Sequence, residues 1–338
     1  MPFSKPAINL VVNSNDLRAF EDWILALMGM FRGVGGDVSL DNRFRTDRVN
    51  VVWECFNKRA ICQEIQSAAK RGCKIVIIAT EYVTGNTFND FYRPAFFERP
   101  LLRMVRCKQV RSVLKRILPR LSRPYVVRGT DADYFSKRFR NFLEAAEAAH
   151  CIWVAEPLEM ANYRRLLGQG KRVVEFPYCS SETLNGGRVG SGKTRDLFFS
   201  GALTDYRLGV IGELEAAGYS VAKLPVSTPH SLRDHFADVS RIILDIRKQP
   251  DWAYMSNLRL HYHIQRGDFV LCQKRKNTSC LAPYVAQADG TLISSVRQWM
   301  QQKDNLARLG LENLERFRSE RPAARFVPEL LERSGLQA

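Results

Sequence analysis

The sequence has no apolar run near the ~18 residues that a membrane-spanning helix needs. Its first residues, MPFSKPAINLVVN, lack the pattern of a secretory signal peptide. The eight cysteines form no C-x-x-C pair and have no matching histidine spacing, which argues against a zinc motif and a disulfide framework. Such cysteines are typical of small buried side chains in a reducing compartment. We therefore predict a cytoplasmic protein, in solution or bound peripherally at the inner membrane surface.

Acidic residues are too few to balance the basic ones. The chain has 51 Lys and Arg against 35 Asp and Glu, which gives a net charge of +16 at pH 7. This excess predicts an anionic partner: a nucleic acid, an anionic membrane surface or a phosphorylated substrate. The length of 338 residues exceeds what a single core usually holds and predicts two domains.

Short apolar runs alternate with amphipathic segments, and this alternation occurs twice along the chain. The first half contains the predicted strands INLVV, VNVVWECF, KIVIIATEY, CIWVA and RVVEF, and the second half DLFFSGAL, SVAKL, RIILDIR and FVLCQK. Apolar strands separated by amphipathic helices are typical of parallel sheets covered on both faces. The pattern predicts an α/β protein with two Rossmann-like doubly wound domains, 1–178 and 196–338, joined by a linker at 179–195. A long charged tail helix is expected to pack back on the first domain.

The linker contains GRVGSGKT, from Gly187 to Thr194, which matches the phosphate-binding loop G-x-x-x-x-G-K-[ST]. That loop works only when a buried strand precedes it and a helix starts at its end. Here the polar CSSETLN precedes it and the predicted strand DLFFSGAL follows it. We interpret the match as a chance feature of a linker, which argues against a kinase.

Candidate ligand-binding residues follow the strands of the second predicted domain. In open parallel sheets, ligands bind beyond the carboxyl ends of the strands. After DLFFS, Gly201 lets a phosphate approach the backbone, with Asp205 or Arg207 within reach, unless the segment is only a tight turn. After RIILD, Asp245 leads to a helix on which Arg259 lies near the N-terminus, a good position for a pyrophosphate, unless that face is only solvated.

These segments resemble a known family. FFSGALTDYR, SNLRLHYHIQRGDFVLCQK and the tail helix are similar to the GT-B glycosyltransferases of the family 1 and family 4 type, bacterial or phage. In that family the C-terminal domain holds the diphosphate of a nucleotide sugar, and the N-terminal domain presents the acceptor across a cleft. Relatives often have an acidic residue on the helix between Arg259 and Gly267, where this chain has Tyr262 or a neighbouring histidine.

The resemblance implies catalysis without a metal or cofactor, in which cations and helix amides stabilise the departing diphosphate. His261 and His263, two apart on one helix, are also poorly placed to share a metal ion. The residues expected to bind the donor are Gly201, Asp205, Arg207, Asp245, Arg247, Lys248, Ser256, Asn257, Arg259, His261, Lys274 and Lys276.

An inverting enzyme of this type also needs a general base in its N-terminal half. Glu81, which follows the buried run KIVIIAT, is the preferred candidate, with Glu54 and Asp16 as alternatives. The D-x-D formed by Asp131 and Asp133 imitates metal-dependent GT-A enzymes, but we interpret it as the cap of the following helix.

The segment from Arg99 to Arg128 contains ten Lys and Arg and no acidic residue, with apolar residues at roughly helical spacing. A basic amphipathic helix fits an anionic membrane surface, where lipid-linked or lipopolysaccharide acceptors reside. DNA is the other polyanion that it could follow, and a solvated basic face is the third interpretation. The candidate acceptor-binding or polyanion-binding residues are Arg103, Arg106, Lys115 and Arg116.

The sequence therefore predicts a glycosyltransferase that moves a sugar from a nucleotide sugar to a glycan, a lipopolysaccharide or another anionic acceptor. The alternatives are a DNA-modifying glycosyltransferase or a basic nucleic-acid-binding protein. A nucleotide-sugar-binding module without catalysis is a third hypothesis, because the acidic residue of the helix is missing.

Overall fold

The computed structural model describes residues 7–12, 14–54, 56–89, 107, 109–110, 112–113, 119–181, 192–226, 228–275, 277 and 279–336. The chain forms two compact units: unit 1 contains residues 1–42 and 177–338, and unit 2 contains residues 43–176. The predicted domain limits at 178 and 196 stay predictions.

The described elements follow in chain order. The strands are β1 (Ala7–Val11), β2 (Asp37–Asp41), β3 (Val49–Trp53), β4 (Lys74–Ala79), β5 (Val83–Thr84), β6 (Thr87–Phe88), β7 (Cys151–Val154), β8 (Val173–Glu175), β9 (Arg195–Ser200), β10 (Val221–Leu224), β11 (Ser240–Asp245), β12 (Val270–Cys272) and β13 (Ala286–Gln287). The helices are α1 (Ser14–Gly33), α2 (Arg59–Lys70), α3 (Pro119–Ala148), α4 (Met160–Leu167), α5 (Asp205–Ala216), α6 (His230–Val239), α7 (Asn257–Arg266), α8 (Leu292–Met300), α9 (Leu306–Glu320) and α10 (Ala323–Arg333).

Unit 2 is built on four parallel strands in the order β3-β4-β7-β8. Every residue of β3 and β7 is buried, as expected for strands covered on both faces. Helix α2 buries Cys62, Ile65 and Ala68, three positions on one side of the helix, and it packs against α3. The core continues to β6, where the ring of Phe88 lies 5.1 Å from that of Phe139.

Unit 1 contains five parallel strands in the order β10-β9-β11-β12-β13. Its core includes Leu197, Phe199, Leu244 and Leu271, which are fully buried. Strands β1 and β2, which also belong to this unit, pair with each other in parallel. Helix α1 is tied to α6 because Asp22 accepts hydrogen bonds from Arg233 at 2.5 and 2.8 Å.

Parallel strands covered by helices in both units confirm the predicted α/β class with two Rossmann-like halves. Some details differ from the sequence-based expectations. The tail forms three helices, α8 to α10, and not one. The α-helix is interrupted at 301–305 and again at Pro322, directly before α10. Strand β2, in the segment GDVSLDN, was not predicted because only one of its five residues is fully buried.

The interpretation of the D-x-D as a helix cap is wrong. Helix α3 already begins at Pro119, so Asp131 and Asp133 lie in its interior. There the backbone amides are paired within the helix and need no side-chain cap. In the described part of the chain, no group of three His, Cys, Asp or Glu side chains is placed to hold a metal ion.

Two further expectations concern the membrane and the cysteines. None of the described helices combines the length and the apolar character that crossing a bilayer requires. Among the residues that the structure describes, no two cysteines are joined by a disulfide.

Candidate functional site

The side chain of Asp245 is the centre of a charged cluster at the carboxyl end of β11, in unit 1. It is fully buried and receives Nη1 of Arg259 at 2.9 Å and Nη2 of Arg275 at 2.8 Å. The hydroxyl of Ser256 donates a further hydrogen bond to it. Burial opposes ionisation, but Arg275 and Arg259 together hold the pKa of this carboxyl below its ordinary value. Asp245 is therefore an ionised group inside the protein.

Two arginines of this cluster are held by main-chain oxygens. Arg275, with a side chain only 1% exposed, donates from Nε to the carbonyl of Tyr254 at 2.8 Å. Arg207 donates to the carbonyls of Ala202 and Ile246, each at 2.9 Å. Burial and the neighbouring guanidinium of Arg259 lower the pKa of Arg207 to about 9. These contacts fix the loops that follow β9 and β11.

Arg259 differs from the other two because its side chain remains partly exposed. Its side chain is 17% exposed and lies 5.0 Å from the ring centre of Phe199. Its Nη2 occupies the space beside Gly201, where an added Cβ would overlap it. Gly201 has a φ of 147°, which side-chain-bearing residues rarely adopt. A glycine at the end of β9 is therefore required for Arg259 to reach its position.

The structure brings together five of the predicted donor-binding residues: Gly201, Arg207, Asp245, Ser256 and Arg259. Arg275 was missed, although its neighbours Lys274 and Lys276 were chosen. The signal was its position three residues beyond β12, at the same edge of the sheet. Lys274 is exposed, and Lys276 lies outside the described residues.

The remaining predicted donor-binding residues lie around the cluster or in the core. Asp205 is exposed at the start of α5, and Asn257 is buried at the start of α7. In the loop after β11, Nη1 of Arg247 donates to the carbonyl of Pro250 at 2.7 Å, and Nζ of Lys248 lies 5.2 Å from the ring centre of Trp252.

His261 lies in the core of unit 1. Its Nε2 is 2.8 Å from the carbonyl oxygen of Cys179, and its ring packs against Tyr178 and Phe317. Burial lowers the pKa of His261 to about 4, so the imidazole is neutral at physiological pH.

A second cluster lies at the carboxyl edge of the sheet in unit 2. The predicted bases Glu54 and Glu81 follow β3 and β4, and Nη2 of Arg138 contacts both carboxyls, at 2.9 Å and 2.6 Å. Arg138 was missed because it lies on α3, far away in sequence. Burial raises the pKa of Glu54 well above its ordinary value.

Two more glutamates follow β7 at the same edge. Glu156 is buried, and burial raises its pKa to about 7. Glu159 accepts hydrogen bonds from the backbone amide of Val83 and from Asn162, each at 2.9 Å. Four glutamates thus lie at the carboxyl edge of the sheet in unit 2, with Arg138 in contact with two of them.

The predicted polyanion-binding residues Arg103, Arg106, Lys115 and Arg116 lie outside the described residues, as does the side chain of Asp16. The sequence still locates the charge. Residues 43–176 contain 26 Lys and Arg and 13 Asp and Glu, so unit 2 carries +13 of the net +16.

The lookalike phosphate loop is followed by strand β9, which begins at Arg195, and not by a helix. This confirms the expectation that the loop lacks the helix N-terminus on which phosphate binding depends. Residues 187–191 lie outside the described part, but Lys193 is within it. Its Nζ is directed to the carbonyl of Ala237 in α6, at 3.5 Å, and burial lowers its pKa.

We expect Lys193→Ala to leave any transferase activity within a few fold of the wild type, because this lysine contacts a helix carbonyl. Steady-state rates measured beside a circular dichroism spectrum test this. Complete loss of activity in a folded variant would restore the phosphate-loop interpretation.

Comparison with known proteins gives no family. No protein-family model and no curated protein matches the chain. Similar solved structures include a GtfA/B complex, with a TM-score of 0.39 and 9% sequence identity. The match covers 86% of this chain and only 58% of that chain. The glycotransferase of kitacinnamycin has a TM-score of 0.39 and 10% identity, and the match covers 98% of this chain and 100% of that chain. The N-terminal domain of Candida albicans trehalose-6-phosphate phosphatase has a TM-score of 0.41 and 11% identity, and the match covers 98% of this chain and 97% of that chain. At these scores the similarities carry no argument about activity.

Proposed function

We propose that the chain is a metal-independent GT-B glycosyltransferase that moves a sugar from a nucleotide sugar to an anionic acceptor. The observation that supports this is the cluster in which Arg207, Arg259 and Arg275 surround the single carboxylate of Asp245. Three guanidinium groups and one carboxylate leave an excess of two positive charges at the carboxyl edge of a parallel sheet. A diphosphate compensates such an excess, and ligands of parallel sheets bind at this edge.

The proposed chemistry follows from the charge of the leaving group. When the bond between the sugar and the diphosphate breaks, negative charge develops on the departing phosphate oxygens, and fixed cations stabilise it. Arg259 is the residue proposed for this role, because its side chain is partly exposed and its Nη2 lies beside Gly201. Arg207 and Arg275 support it by holding the surrounding loops. In this proposal the guanidinium groups take the part that a divalent cation plays in other transferases.

For the acceptor, we propose Glu81 as the general base. The side chain of Glu81 is 17% exposed, whereas that of Glu54 is fully buried. An acceptor hydroxyl can therefore approach Glu81 more readily. The charge of +13 in residues 43–176 favours an acceptor with negative charge, such as a lipid-linked glycan or a lipopolysaccharide.

The same charge favours a second candidate function, a DNA-modifying transferase or a nucleic-acid-binding protein. Thermal-shift measurements with a panel of nucleotide sugars, free nucleoside diphosphates and duplex DNA separate the two. A rise in melting temperature with one nucleotide sugar is the expected result. Stabilisation by DNA alone would favour the second candidate function over glycosyl transfer to a glycan or lipopolysaccharide.

The donor site has its own test in two variants that act on the same guanidinium. Arg259→Ala should weaken nucleotide-sugar binding by about 1.5–3 kcal/mol, roughly 10- to 150-fold, the scale of a lost charge-assisted hydrogen bond. Gly201→Ala removes no polar group, but its new methyl group overlaps Nη2 of Arg259 and should also weaken binding. Calorimetric titration measures both.

Gly212→Ala is the matched control, because a Cβ at this position of α5 meets nothing within 4 Å. It should bind the donor like the wild type. If Arg259→Ala and Gly201→Ala also bind like the wild type, the diphosphate lies elsewhere.

A further inference from the structure

Two carboxyl groups in unit 2 contact the same nitrogen atom, Nη2 of Arg138. Nη2 of Arg138 lies 2.9 Å from Oε2 of Glu54, 2.8 Å from the carbonyl oxygen of Glu54 and 2.6 Å from Oε1 of Glu81. The carboxyls follow neighbouring strands, β3 and β4, so the parallel sheet itself sets their separation. The guanidinium comes from α3, whose Asn141 also donates to the carbonyl of Phe56.

The surroundings of the two carboxyls are unequal. Glu54 is fully buried, and within the described part of the chain its Oε1 has no hydrogen-bond partner. Glu81 is partly exposed and accepts a further hydrogen bond from Nδ2 of Asn89. An ionised carboxylate is costly where water and donors are lacking, so a proton is held more favourably by Glu54 than by Glu81.

The charge balance of the cluster also favours a proton on one of the two carboxyls. One guanidinium compensates one carboxylate, and a second carboxylate at the same nitrogen would leave a buried negative charge. Tyr163 of α4 lies near Glu54, Glu81 and Glu159, and among these described neighbours none brings a positive charge. Burial raises the pKa of Glu54, and Arg138 and Glu81 act on it with opposite signs.

We propose that Glu54 and Glu81 share one proton over Arg138, with Glu54 as the neutral member and Glu81 as the carboxylate. Glu54 is thereby a positioning residue, because as a neutral group it does not compete with Glu81 for the charge of Arg138. This proton sharing stands on the geometry of unit 2 alone, and only its catalytic use rests on the proposed glycosyl transfer.

In that use the acceptor O–H bond breaks and its proton passes to Glu81. The oxygen lone pair forms the new bond to the sugar, and the electrons of the broken sugar–phosphate bond leave with the diphosphate. One proton then returns to solvent from the pair, which restores the starting state with a single shared proton.

Carbon-13 NMR of protein labelled at the glutamate carboxyls tests the sharing without any substrate. We expect one carboxyl to stay protonated well above the ordinary carboxyl range in the wild type, and this signal to be missing in Glu54→Gln. In Glu81→Gln the same carboxyl should ionise at a lower pH, because the negative charge of Glu81 no longer opposes its ionisation. Glu156→Gln is the control. It identifies the signal of Glu156, whose pKa is raised to about 7, and it should not move the Glu54 signal.

The outcomes separate the two claims. If the Glu54 carboxyl ionises in the ordinary range, or does not respond to Glu81→Gln, the sharing is disproved whatever the protein's activity. Glu81→Gln changes a partly exposed side chain, so this arm remains informative if Glu54→Gln fails to fold. With the sharing confirmed, kcat of the wild type should change at the pH where Glu54 loses its proton, and loss of this change in Glu54→Gln supports the catalytic use. An unchanged pH profile overturns that use and leaves the proton sharing intact.

Discussion

Asp245→Asn should destabilise the protein by about 3–5 kcal/mol, the scale observed when one partner of a buried ion pair is removed. The carboxylate is fully buried and contacts Arg259 and Arg275 directly. Without it, these guanidinium groups and the nearby Arg207 face one another with no counter-charge. Chemical denaturation monitored by circular dichroism measures the loss, with Asp251→Asn as the control. Asp251 is exposed in the loop after β11, so its variant carries the same charge change outside the cluster.

The pH dependence gives this prediction a second readout. The pKa of Asp245 is lowered in the folded protein, so its contribution is complete above the ordinary carboxyl range of about 4. The contribution is lost as the pH falls through the lowered folded value. Asp245→Asn should therefore flatten the acid side of the stability profile, and Asp251→Asn should not. A profile for Asp245→Asn that matches the wild type in size and slope would contradict the ion-pair account.

The sequence was sufficient for the fold class and for part of the site, because both depend on local patterns. Runs such as KIVIIA and RIILD bury most of their side chains, and their alternation with amphipathic segments predicts parallel sheets. Gly201 and Asp245 were chosen because residues at the ends of buried strands lie at the ligand-binding edge of a parallel sheet, and Arg259 because it lies near the start of the next helix.

The missed residues depend on contacts between distant segments. Arg138 lies 84 residues from Glu54, and no local pattern indicates that a helix residue will reach two strand ends. Arg275 is the middle residue of the basic run KRK. Spacing alone does not show which of three neighbouring side chains turns into the protein. His261 lies four residues after Asn257 on α7, and this helical spacing does not separate a ligand-facing side chain from one in the core.

Reversing the charge of Arg103, Arg106, Lys115 and Arg116 to Glu should abolish binding to anionic vesicles, or to duplex DNA if the acceptor is a nucleic acid. Each cation near an anionic membrane contributes about 1 kcal/mol, so four together represent about 4 kcal/mol, nearly three orders of magnitude in affinity. Ten like charges between Arg99 and Arg128 repel one another and stabilise nothing without an anionic partner. Vesicle co-sedimentation and DNA mobility shift measure the two partners separately.

A matched control distinguishes a local surface from the charge of the whole chain. Reversing Arg297, Lys303, Arg308 and Arg333, all exposed in unit 1, changes the net charge by the same amount. If binding depends on the segment in unit 2, the control variant should bind nearly like the wild type. Equal losses in both variants would instead indicate a general electrostatic attraction with no defined surface.

Donor affinity should be unchanged in the reversed segment, because the arginines proposed for the diphosphate belong to unit 1 and the segment belongs to unit 2. Salt should reproduce the loss in the wild type, since raising the ionic strength from 0.1 to 1 M shortens the screening length from about 10 to about 3 Å. Loss of donor affinity together with vesicle binding would mean that the variant damages the fold. Normal binding of both polyanions by the reversed variant would mean that the segment is a solvated basic face.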